Sequence, residues 1–147
     1  MDKHRIARVL LRLARGLVGS TSGFMSDYKS GTYDNPLMPE MRVWSYADNE
    51  GERMPMVMTE IIARKWDGED VIWFKAIISP EKQGTGIASH VLKQITKMAD
   101  KHAVTIYMSP KPFGTVPNKL NKSQLVAWYK RNGFEKGSAG QMFRRPQ

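Results

Sequence analysis

Three groups of residues in this 147-residue chain have the types and spacing to do chemistry. The first is Gln83-Gly84-Thr85-Gly86-Ile87-Ala88-Ser89, which follows an apolar run ending Ala76-Ile77-Ile78 and the breaker Pro80. A short polar loop that feeds two glycines into a helix start is suited to an anion. The first N–H groups of a helix lack internal partners, its dipole adds positive charge, and glycine lets a phosphate approach the backbone. The second is Tyr129, in Trp128-Tyr129-Lys130-Arg131-Asn132-Gly133-Phe134, a phenol that could protonate a leaving group. The third is Glu60, a lone carboxylate within Met-Val-Met-Thr-Glu-Ile-Ile and a candidate base. Strand alternation gives Glu60 a second reading, as a residue on a solvated face.

Composition narrows the chemistry. There is no cysteine, which removes disulfides, thiolate metal sites and a thiol nucleophile. His4, His90 and His102 are scattered and have no metal-ligand spacing. No apolar run approaches the ~18 residues of a membrane span, so a cytoplasmic protein without a membrane partner is expected. The net charge of +9 is uneven: residues 1–19 hold five basic side chains against Asp2, and residues 111–147 hold eight against Glu135. Such a balance suits anionic partners, either nucleic acid or a polyphosphate ligand.

These residues need elements to position them. Residues 3–18 read as an amphipathic helix, with Ile6, Val9, Leu10, Leu13 and Leu17 on one face and Arg5, Arg8, Arg12 and Arg15 opposite. This segment, 1–19, is expected to pack on or extend from a domain spanning 20–147. Residues 20–40, punctuated by Gly23, Gly31, Pro36 and Pro39, read as a long ordered loop with at most a helical turn. Three strands follow, over Met41–Tyr46, Met54–Trp66 and Val71–Ser79, joined by polar turns into an antiparallel meander. The third is nearly unbroken in apolar residues and is expected to be covered on both faces. After the glycine loop, Ala88, Val91, Leu92, Ile95, Met98 and Ala99 mark a strong helix. Val104–Met108 reads as a strand, and a last helix capped by Asn121 or Ser123 runs through Tyr129 to Asn132-Gly133. Phe134 and 141–144 suggest a final hairpin.

Two familiar phosphate loops fit poorly. Gly86-Ile87-Ala88 lacks the Lys and hydroxyl of a P-loop, and Ser89 stands where a dinucleotide loop needs a third Gly or Ala. The segment instead resembles the acetyl-CoA loop of the GCN5-related N-acetyltransferases, Gln/Arg-x-x-Gly-x-Gly/Ala, through Gln83, Gly86 and Ala88. The family's last helix carries a tyrosine followed by polar residues and Gly-Phe, matched by Tyr129 to Phe134. The resemblance covers about residues 41–146, and the small basic chain is similar to bacteriophage-encoded members. It departs from the family in opening with a helix rather than a strand, and in placing Lys122 and Leu125 where an asparagine and a small residue are usual.

The resemblance implies an α/β (α+β) fold: a single mixed, mostly antiparallel sheet flanked by helices, acyl-CoA N-acyltransferase-like. It implies acetyl-CoA as cosubstrate and transfer of the acetyl group to a primary amine by direct attack on the thioester. Backbone groups from Gly84, Thr85, Gly86, Ile87, Ala88 and Ser89, with the Gln83 side chain, would hold the pyrophosphate. Ala76, Ile77 and Ile78 would pair with the pantetheine arm, and Asn121, one residue out of register, would contact CoA. Tyr129 would be the general acid, with Glu60 the base. Nucleic acid, or a phage or host protein, could meet Arg5, Arg8, Arg12 and Arg15, and a homodimer is compatible with the family. The rival reading is a non-catalytic basic module of the same fold that binds nucleic acid or protein through the arginine stripe and the 111–145 cluster, with Trp44 or Trp128 stacking.

Overall fold

The structure, a computed structural model, describes residues 3, 4, 6, 20–44, 57–79, 86–111 and 120–147. Within these, seven strands form one sheet: β1 (Tyr33–Asp34), β2 (Arg42–Trp44), β3 (Val57–Trp66), β4 (Glu69–Ile78), β5 (Ile106–Met108), β6 (Glu135–Lys136) and β7 (Met142–Arg144). Their order is β1-β2-β3-β4-β5-β7-β6. Every pair is antiparallel except β4 with β5. That parallel pair spans the crossover helix α2 (Ile87–Lys101), so the expected mixed sheet and strand–helix–strand unit are found. Helices α1 (Thr21–Ser30) and α3 (Lys122–Arg131) complete the described elements.

The meander is tighter than expected. Asp67 and Gly68 both have positive φ, 50° and 74°, so they make the two-residue turn and strand pairing resumes at Glu69. Of the strands expected over Met41–Tyr46 and Met54–Trp66, residues 45, 46 and 54–56 lie outside the described residues. Of the segment read as an N-terminal helix, Lys3, His4 and Ile6 are helical and exposed, and Arg5, Arg8, Arg12 and Arg15 lie outside the described residues.

The loop expected over residues 20–40 is corrected: ten of its residues form α1. Thr, Ser, Gly and Asp give this stretch little helix propensity, so packing decides it. Phe24 and Tyr28, four residues apart, are both buried, and the Ser20 hydroxyl caps the start by accepting from Gly23 N at 2.9 Å. The Tyr28 hydroxyl donates to Thr59 O at 3.0 Å and lies 2.8 Å from Thr59 Oγ1, which accepts from Trp44 Nε1 at 2.9 Å. Burial pushes the Tyr28 phenol up to about 12.

All three described helices lie on one face. Val57, Thr59 and Ile61 of β3 point toward them, as do Ile72 and Phe74 of β4, and these join Val91, Leu92, Ile95 and Tyr129 in one core. The opposite face carries a row of rings: Trp66, Trp73, Tyr107 and Phe143, with successive centroids 5.7 to 6.3 Å apart. Arg64 sits 4.9 Å over Trp73, and Arg145 sits 4.7 Å over Phe143. Trp73 is only half-buried and Lys75 exposed, so β4 is not covered equally on both faces as its sequence suggested.

Two ionic ties fix the helices. Arg144, 5% exposed, donates from Nη1 to Asp100 Oδ1 at 2.7 Å, from Nη2 to Oδ2 at 3.1 Å, and from Nε to Asn132 O at 3.0 Å. Asp100→Ala is expected to leave that guanidinium buried without its counter-charge. The expected cost is about 3–5 kcal/mol, read as a lower midpoint in urea unfolding. Asp27 of α1 meets His102 Nε2 at 2.7 Å and Lys101 Nζ at 2.9 Å. The His102 hydrogen bond, then that of Lys101, holds the Asp27 carboxyl below its ordinary value of 3.8. Its contribution is therefore present above that value and lost as pH falls through the lower folded value. Asp27→Asn should flatten the acid limb of a stability-versus-pH curve below pH 3.8.

Candidate active site

The site grows out of one interruption in the sheet. β4 pairs with β5 only through Ile72, Trp73 and Phe74, matched to Ile106, Tyr107 and Met108. β4 then runs on to Ile78, while β5 ends and the chain turns at Ser109-Pro110. Among the described residues, Lys75, Ala76, Ile77 and Ile78 therefore have no strand on that side, although β3 pairs Met58, Thr59 and Glu60 on the other. Among the described strands, the gap left beside β4 beyond the Phe74–Met108 pair forms a slot with that pair at its closed end. Ala76–Ile78, for which a role as backbone groups on a splayed strand is expected, are the residues along this edge.

A local irregularity sits at the same point. Glu60 pairs with Ala76 and the next residue, Ile61, with Phe74, so one step on β3 spans two on β4. Lys75 is the extra residue, a β-bulge beside the closed end of the slot, and a bulge bends its strand and raises its twist. Lys75 Nζ lies 3.2 Å from Glu60 Oε1, with the Glu60 side chain 17% exposed and that of Lys75 45%. Sequence reasoning singled out Glu60 and passed over Lys75, though a lysine inside Trp-Phe-Lys-Ala-Ile was an equal signal.

The helix start expected at the glycine loop is present. Gly86 is the N-cap residue of α2, with φ 77° and no side-chain cap hydrogen bond. Among the described residues, a Cβ on Gly86 would meet nothing within 4 Å. Gln83, Gly84 and Thr85 lie outside the described residues. Ile87 and Ala88 begin the helix, and Ser89 Oγ accepts from Trp128 Nε1 at 2.9 Å. That bond ties the first turn of α2 to α3. Gly86→Ala is expected to cost about 1–2 kcal/mol of stability from φ alone, without a clash, measured by chemical unfolding.

Tyr129 and its downstream motif have a structural explanation. Phe134 N donates to Tyr129 O at 3.1 Å and Gly133 N to Lys130 O at 3.1 Å, the two bonds of a Schellman end with Gly133 at φ 89°. The Phe134 ring packs on Tyr129 edge to face at 5.5 Å, and Tyr129 in turn meets Phe74 at 6.3 Å. The motif thus clamps Tyr129 over the closed end of the slot. Its ring is buried, and burial pushes the phenol well above its ordinary value of 10.0. No buried side-chain oxygen among the described residues lacks a partner. Among the described residues the Tyr129 side chain is met by the rings of Phe74, Trp128 and Phe134.

Asn121 is the N-cap of α3 in a reciprocal box: its Oδ1 accepts from Gln124 N, and its own N–H donates to Gln124 Oε1, both at 2.9 Å. Glu60 and Tyr129 do not share a face. Tyr129 stands with the helices, whereas Glu60 alternates with buried Thr59 and Ile61 and starts on the aromatic side. The two flank the slot from opposite sides of a one-layer sheet. The rival interface loses members: Trp44 is buried against Thr59, Trp128 is tied to Ser89, and Arg144 is buried on Asp100.

No family model and no curated protein matches the sequence. Among solved structures, the chain is similar to a histone acetyltransferase HPA2 and related acetyltransferase from Corynebacterium glutamicum. The identity is 15% and the TM-score 0.48, over 74% of this chain and 66% of that one. It is similar to AtaTR bound with AcCoA at 15% identity and TM-score 0.45, over 72% and 68%. It is similar to the anti-CRISPR protein AcrVA5 at 15% identity and TM-score 0.43, over 60% and 87%. At such identities and scores these likenesses assign neither family nor activity; the strand order and the slot stand without them.

Proposed function

We propose that this chain is an acetyl-CoA-dependent N-acetyltransferase of the GCN5-related kind, acting on a primary amine. The observation that carries the reading is the slot itself: a free β4 edge leads from the uncapped start of α2 to a closed end beneath Tyr129. The pyrophosphate would sit before α2, on backbone groups from residues 84–89 with help from Gln83. The pantetheine arm would run back along Ile78, Ile77 and Ala76 as a short added strand, its amides pairing with the free backbone. The thioester would then reach the Phe74–Met108 end, beside Lys75 and below Tyr129. Asn121, with its oxygen committed to the helix cap, could contact CoA only through its side-chain amide nitrogen.

The acceptor would enter from the aromatic face, where Glu60 stands. An alkylamine has a pKa near 10.4 and must lose a proton before attack, a task for Glu60 directly or through water. Nitrogen attacks the thioester carbon, the C–S bond breaks, and the sulfur needs a proton. Tyr129 keeps its own proton to high pH because burial penalises the phenolate. The same burial makes full transfer to a thiolate uphill, so the hydroxyl first acts as a hydrogen-bond donor that stabilises developing charge on sulfur.

Calorimetric titration with acetyl-CoA tests the reading: saturable binding is expected in the wild type and its loss in Gly86→Glu, whose side chain would fill the phosphate space. Tyr129→Phe should leave that binding intact while lowering kcat roughly 100-fold in a CoA-release assay with an amine panel. The rate should climb with pH as the amine deprotonates, with no falling limb from Tyr129 below about pH 10. Absence of acetyl-CoA binding would leave the rival reading, a basic binding module, and a steep salt dependence of DNA affinity would support it.

A further inference from the structure

We infer that Lys75 is an acetyl acceptor in cis, so that the protein modifies its own β4 bulge. The inference rests on the proposed acetyl-CoA reading and extends it to a residue of this chain. Three observations meet at Lys75. Its backbone is the extra residue where β4 loses β5, so it borders the closed end of the slot to which the thioester would be delivered. Its amine is a primary alkylamine 3.2 Å from Glu60 Oε1, already within hydrogen-bond reach of a base. Its side chain is 45% exposed, and a four-carbon stem can swing between Glu60 and the slot.

The other described lysines that pair with a carboxylate, Lys65 with Asp70 and Lys101 with Asp27, stand away from the slot. Lys65 belongs to the far end of the β3–β4 hairpin, and Lys101 to the C-terminal end of α2. Location therefore singles out Lys75.

The step balances without an outside reagent beyond acetyl-CoA. The Lys75 ammonium gives one proton to Glu60, and the neutral amine attacks the thioester carbonyl carbon. An N–C bond forms and the C–S bond breaks. The sulfur leaves as thiolate and is protonated with the aid of Tyr129, which is replenished by the second proton released from nitrogen. The proton on Glu60 passes to solvent. The products are an acetamide on Lys75 and free CoA.

The modification removes the only cation that the structure places against Glu60 among the described residues. A Glu60 carboxylate with no ammonium beside it is an open seat for the ammonium of an external acceptor. Self-acetylation would thus change how the acceptor side of the slot receives a charged amine.

The experiment incubates purified protein with acetyl-CoA and follows intact mass, with peptide mapping to place the label. A single acetyl group on Lys75 is expected, at a rate independent of protein concentration. Lys75→Arg should abolish that product, and Glu60→Gln and Tyr129→Phe should each slow it about a hundredfold. Acetyl-CoA binding is measured by calorimetry on the same samples. Binding with Lys75 unmodified, or label spread evenly over surface lysines, overturns the inference and leaves the enzymatic reading standing. A rate that rises with protein concentration overturns the cis step. No binding at all overturns both.

Discussion

Everything in the candidate site depends on β4 losing its parallel neighbour at Phe74. A parallel pair is held by evenly spaced backbone hydrogen bonds, and ending it four residues before the strand ends leaves a row of donors and acceptors unpaired. A protein does not ordinarily leave such an edge inside a sheet, because unpaired backbone invites any strand that passes. Here the edge faces a slot between two ordered walls, and an extended, amide-bearing arm is the shape of molecule that can complete it. The bulge at Lys75 falls at the residue where β4 leaves its pairing with β5.

The walls are positioned by contacts remote from the slot in sequence. The Schellman end of α3 sets Tyr129 and Phe134 against each other, and Phe134 in turn begins the chain's path to β6 and β7. Trp128 reaches across to Ser89, so the helix that carries the phenol is tied to the helix start that would carry the phosphate. Arg144 of β7 binds Asp100 of α2 and the end of α3 at once. A change in any of these ties would shift the distance between the two ends of the slot before it touched the chemistry.

The basic character of the chain divides once its residues are placed. Some cations are structural, as with Arg144 on Asp100 and Arg42, whose guanidinium donates to Asp34, Thr32 and the backbone of Lys29. Others lie on aromatic rings, as Arg64 and Arg145 do. Formal charge counts all of these alike, although a buried, doubly bonded guanidinium attracts no external anion. The aromatic face is also not uniformly basic, since Glu60, Glu69 and Glu135 share it through strand register with Arg64, Lys75 and Arg145.

How much was legible in the sequence follows from the range of the interaction that decides each feature. The helix α2 could be read because its apolar stripe is local and strong, and the cap at Asn121 because a capping box spans only three residues. Tyr129, Gly133 and Phe134 announced themselves as a spacing, and that spacing is a helix end written in backbone hydrogen bonds. Helix α1 was not legible, because its weak propensity is overridden by burial of Phe24 and Tyr28 against β3, some thirty residues away in the chain. By itself the sequence determined the order of the elements from the meander onward and the residue types fit for acyl transfer, but not α1 or β1. Tertiary structure alone decided that Glu60 and Tyr129 stand on opposite sides of the sheet, and that Lys75 lies between them. Register across strands is a pairing of distant segments, and a one-residue bulge that sets a side chain beside the closed end of a slot leaves no trace in local periodicity.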